Sequence, residues 1–153
     1  MRNLIRDLYL HKALMIERRI VFPREALLAF MIANIDLTQW LKEMVEKHSK
    51  GIKIGVIGPF GEAYPSGSLY PVFELKAEDQ REEVLDELEL VIDSKVYGLV
   101  NSLTERERIV LKKRVEERKS LAQIALDLSI KPQSVVSFIN SIKDKVGKTL
   151  LRS

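Results

Sequence analysis

The chain has 153 residues, 46% hydrophobic and 31% charged, a balance that fits one domain or two small ones and is too apolar for a disordered chain. It contains no cysteine, which excludes disulfides and cysteine-based zinc sites and fits a cytoplasmic location. The net charge of +3 is uneven: residues 101–153 carry 12 Lys and Arg against 6 Asp and Glu, a net of +6, which leaves −3 for the remainder and favours phosphate contact at the C-terminal end.

Leu4, Ile5, Leu8, Leu14, Met15 and Ile16 predict an opening amphipathic helix. Charges interrupt every apolar run in MRNLIRDLYLHKALMIERR, so neither a signal peptide nor a membrane span is expected there. Pro23 stands at a helix start, followed by the apolar run REALLAFMIANI. Asp36 and Gln39 make a capping pair ahead of LTQWLKEMVEKHSK, and Gly51 is a natural stop. The Met, Phe and Trp side chains of this part are expected in the core.

From Ile52 to Leu75 the pattern changes. IKIGVIG and SLYPVFEL are rich in strand formers, with GPFGEAYPSG between them, which predicts a two-stranded ribbon with a long loop. Gly55 and Gly58 belong to turns and bulges, because GVIGPFG has neither the Lys-Ser/Thr of a phosphate-binding loop nor a GxGxxG opening a helix. An isolated hairpin is marginal, so the ribbon is expected to pack on helices or on another chain, with Tyr64, Tyr70 and Phe73 as contact candidates.

AEDQREEVLDELELVIDSKVYGLV is the longest helical run, with an acidic start that suits the helix dipole. Leu85, Leu88, Ile92, Val96 and Leu99 form a narrow stripe that serves either as a dimer seam or as a face packed on its own chain. The acidic run from Glu78 to Glu89 reads as a solvated helix face. His11 and His48 are the only histidines, and no HExxH, GxSxG or cysteine nucleophile occurs, so no enzyme, cofactor or metal is expected.

Leu103 to Val146 parses into helices by start signals. Thr104 with Glu107, and Ser120 with Gln123, are two capping boxes, and Pro132 suits the first turn of a third helix. Ser129, Ile130 and Lys131 alone separate the second and third helices, a spacing that can place a recognition helix in a DNA major groove. Leu103, Ile109, Val110, Leu111 and Val115 are expected under the first helix, and Leu121, Ile124, Ala125 and Leu128 on the second. Ile130 should plug the turn, and Val135, Phe138, Ile139, Ile142 and Val146 should line the third. The same stripes also occur in a plain helical bundle.

This segment resembles the promoter-binding region 4 of bacterial sigma factors, above all the extracytoplasmic-function type, and is similar to the DNA-binding domain of LuxR-type response regulators. The resemblance is carried by Leu103, Thr104, Arg106, Glu107, Arg108, Val110 and Leu111, then Ile124, Ala125, Leu128, Ile130, Val135 and Lys145; VYGLVNSL resembles the first helix of region 4. It implies sequence-specific binding of double-stranded DNA by a bacterial or phage transcriptional regulator, with RNA polymerase as a further partner. Arg118 departs from the family's glycine, and Lys131 from its capping hydroxyl. The opening turns of the third helix lack arginine, so the bidentate reading of guanine is missing there. Gln133, Ser134 and Ser137 remain as base-contacting candidates, and Val136 is expected exposed or against a protein. Lys112, Lys113, Arg114, Lys119, Lys131 and Lys143 are the phosphate-contacting candidates.

The expected fold is mainly α with a small β-ribbon (α+β). Residues 1–77 would form a helical oligomerisation or partner-binding part, and residues 78–153 the long helix with the helix-turn-helix. Expected partners are double-stranded DNA and a second copy of the chain, with no membrane. Two other readings stay open. One is an assembly protein recognising a packaging or replication origin, as small terminase subunits do. The other is a protein-interaction module of the same fold that no longer binds DNA.

Overall fold

The computed structural model describes residues 15–48, 51–57, 72–78 and 82–151. The fold is mainly helical with one small antiparallel sheet. The elements in order are β1 (Met15–Val21), α1 (Arg24–Ile32), α2 (Leu37–His48), β2 (Ile52–Ile57), β3 (Val72–Glu78), α3 (Glu82–Ser102), α4 (Glu105–Leu111), α5 (Leu121–Leu128) and α6 (Pro132–Val146). A π-helical turn, Lys112–Glu116, continues α4, and a second, Gly147–Leu151, continues α6.

The chain forms two compact units, one of Met1–Val21 with Leu41–Ile92, the other of Phe22–Trp40 with Asp93–Ser153. This division departs from the expected cut between residues 77 and 78. Residues 22–40 fold with the C-terminal part, and residues 78–92 fold with the sheet.

In the first unit the expected two-stranded ribbon is a three-stranded sheet of order β1-β3-β2. The added strand, β1, falls where the opening helix was expected to reach Met15 and Ile16; residues 1–14 lie outside the described residues. The reason is long-range pairing. Ile20 stands opposite Phe73, and Arg18 opposite Leu75, and MIERRIV supplies β-branched residues at its end. On the central strand Phe73, Leu75 and Ala77 alternate into the core. Phe73 is therefore a core residue and not a contact at a ribbon tip, whereas Tyr64, Tyr70 and Gly58 lie outside the described residues. Gly51 has φ 86°, which explains a glycine between α2 and β2. Arg18 donates to Asp86 at 2.9 Å, tying β1 to α3.

The narrow stripe of α3 is buried throughout. Leu85, Leu88, Ile92 and Leu99 are 0% exposed and Val96 is 2%. Leu85, Leu88 and Ile92 lie in the first unit and Val96 and Leu99 in the second, and the burial of all five corrects the expected oligomerisation seam to a face packed within its own chain. Spacing alone could not separate the two outcomes, since both need the same stripe.

In the second unit α1 buries Ala26 through Phe30 in unbroken sequence and packs against α4, the π-helical turn after it, and α6. Phe22, Phe30 and Trp40 form a cluster with ring centroids 5.4–6.4 Å apart. Trp40 Nε1–H donates to the carbonyl of Leu150 at 3.1 Å, so a buried polar atom is satisfied. Arg24 and Glu116 form an ion pair.

Candidate nucleic-acid interface

The start and stop signals of α4, α5 and α6 act largely as expected. Thr104 Oγ1 accepts from the Glu107 N–H at 3.2 Å, and Glu107 Oε1 accepts from the Thr104 N–H at 2.7 Å, closing the first capping box. The second box is half formed. Ser120 Oγ accepts from the Gln123 N–H at 3.1 Å, but the Gln123 amide turns along its own helix and donates to Asp127 at 2.8 Å.

After Leu128 the chain enters the left-handed region at Ser129, with φ 56°. The Ser129 N–H donates to Leu126 O, and the Ile130 N–H to Ala125 O at 2.9 Å. These two bonds close a Schellman cap, which satisfies the last carbonyls of α5 and directs Ile130 back onto it. Pro132 then occupies the first turn of α6. A core of Val110, Ile124, Ala125 and Val135, extended by Leu121, Leu128, Ile130, Phe138 and Ile139, holds the three helices together.

A polar brace crosses this core. Glu107 is 2% exposed. Its carboxylate accepts from Ser141 at 2.6 Å and from Lys145, whose Nζ also donates to Ser102 O at 2.7 Å. Arg108 Nη2 donates to Val100 O at 2.7 Å. Burial alone would raise the Glu107 pKa; the bonds from Lys145, Ser141 and Thr104 together outweigh it and hold the carboxyl at about 2.

The outer side of α6 presents Gln133, Val136, Ser137, Asn140 and Lys143, all exposed. Of the expected base-contacting residues, Gln133 is the best placed. Ser137 Oγ donates to the Gln133 carbonyl at 3.1 Å, so its proton is engaged by the helix itself. Ser134 is half-buried and lines a groove of about 450 Å³ between α4 and α6, with Thr104, Glu107, Ser137, Phe138, Ser141 and Lys145. Asn140 was missed by sequence reasoning; its signal is the period that puts it seven residues after Gln133, on the same face.

The expected phosphate-contacting residues divide. Lys112, Lys131 and Lys143 are exposed. Lys113 and Lys119 both meet Asp127 Oδ2, at 3.3 and 2.6 Å, and Lys119 also reaches Glu117 at 3.3 Å. Arg114 donates to the Lys119 carbonyl at 2.9 Å and fastens the loop before α5. Three of the six are thus engaged within the chain. Hydrogen bonds from Lys119, Gln123 and Lys113 keep the Asp127 pKa at about 2, and the bond to Asp127 raises that of Lys119. Arg118 holds φ 53° in the same loop, a conformation glycine adopts with less strain.

No family model, curated protein or solved structure matches this chain. Among the described residues no group of three or more His, Cys, Asp or Glu side chains could hold a metal ion. No described helix is long and apolar enough to cross a membrane.

Proposed function

We propose that this protein binds double-stranded DNA in a sequence-dependent way through α5 and α6, and acts without catalysis as a transcriptional regulator in the cytoplasm. The observation that carries the reading is the pair of helices joined through Ser129, Ile130 and Lys131. That short turn seats one side of α6 on the core and leaves the other side outward, the arrangement a recognition helix needs. Exposed Lys112, Lys131 and Lys143 supply cationic groups for the phosphate backbone.

The test is fluorescence anisotropy of the full chain with a random-sequence duplex library at about 50 and about 200 mM salt. Binding should weaken steeply with salt, and Lys131→Glu and Lys143→Glu should weaken it for every duplex. A full chain that is folded and retained by no duplex at the lower salt overturns the reading.

A second reading, docking of the helix pair on another protein such as RNA polymerase, draws on Leu126, which is 74% exposed on α5. Leu126→Asp then abolishes polymerase association without changing DNA affinity. Unchanged polymerase association in that variant removes the second reading.

A further inference from the structure

We propose that α6 reads A·T base pairs, with Val136 as a specificity-determining residue that contacts the C5-methyl group of thymine; this rests on the DNA-binding reading above. Val136 is 40% exposed on the outer side of α6, whereas Val135, Phe138, Ile139, Ile142 and Val146 pack inward. Gln133 precedes it by three residues and Asn140 follows by four, so the three lie on one exposed strip of the first turns.

Each member of that strip has one preferred base partner in the major groove. The carboxamides of Gln133 and Asn140 match the N7 acceptor and N6 donor of adenine, and an apolar side chain matches the thymine methyl. What the strip lacks points the same way. No Arg or Lys stands between Pro132 and Ile142 to read guanine, and no Asp or Glu to accept from cytosine. Lys143 and Asp144 come ten and eleven residues after Gln133, about 15 Å further along the axis, past the opening turns that face base edges. Of the two serines of the first turns, Ser134 is half-buried in the groove beside α4 and Ser137 donates its proton to the Gln133 carbonyl, which leaves the choice to their neighbours.

The experiment selects binding sites for the full chain from a random-sequence duplex library, then replaces each thymidine of the selected site by deoxyuridine, which lacks only the methyl group. The selected half-site should be dominated by A·T pairs. One deoxyuridine substitution should lower wild-type affinity about fourfold, the effect of removing one apolar carbon from contact. Val136→Ser, at an exposed position that leaves the fold intact by circular dichroism, should bind the thymidine and deoxyuridine duplexes equally. A G·C-dominated site, binding without sequence preference, indifference of the wild type to every deoxyuridine, or a methyl effect that persists in Val136→Ser overturns this inference alone. Absence of binding to every duplex overturns it together with the proposed function.

Discussion

Replacing Glu107 by Gln removes the charge at the centre of the brace while keeping its size. The carboxylate is 2% exposed and accepts from Thr104, Ser141 and Lys145. Its pKa of about 2, against an ordinary 4.5, corresponds to stabilisation on the order of 3 kcal/mol of the ionised form in the folded state. Lys145 is 26% exposed at its side chain and keeps the Ser102 carbonyl as acceptor, so solvent recovers part of its loss. We therefore expect Glu107→Gln to destabilise by about 2–3 kcal/mol at neutral pH. Because the folded-state pKa is depressed, this contribution is fully present above the ordinary value and is lost as pH falls towards about 2. Urea denaturation of wild type, Glu107→Gln, Lys145→Met and the double variant at pH values from about 7 to about 3 measures both the loss and the coupling. A Glu107→Gln chain within about 0.5 kcal/mol of wild type at neutral pH refutes the reasoning. So does a difference that stays constant down to the acid end.

Ile92→Glu, at a position 0% exposed, should unfold the chain and not merely separate copies, because an unpaired carboxylate cannot be buried there; a cooperative melt at the wild-type temperature counts against the burial. A fragment of residues 78–153 should be unstable, since it lacks α1 with Phe30 and the Trp40 bond to Leu150, several kcal/mol of buried apolar surface; two-dimensional NMR showing a well-folded fragment contradicts this. Asp127→Asn releases Lys113 and Lys119 and, on the DNA-binding reading, should tighten binding to all duplexes and steepen the log–log salt slope by up to about two. Unchanged affinity in a folded variant, measured by anisotropy, shows that these lysines stay away from phosphate.

What the sequence determined by itself is local. The capping of α4 by Thr104 and of α5 by Ser120 and the proline opening α6 follow from groups within one turn of each other, and the stripe of Val135, Ile142 and Val146 follows from the helical period. What only the tertiary structure decided involves partners far apart in sequence. β1 is a strand because Ile20 meets Phe73, a pairing invisible in the composition of residues 15–21. Residues 22–40 fold with the C-terminal unit, although nothing local marks that choice. The stripe of α3 is compatible equally with a partner helix and with its own core, and its burial settled the matter. Lysines that look alike in sequence became different residues once Asp127 drew Lys113 and Lys119 to itself and left Lys112, Lys131 and Lys143 outward, because an ion pair depends on the distance between charges and not on their number.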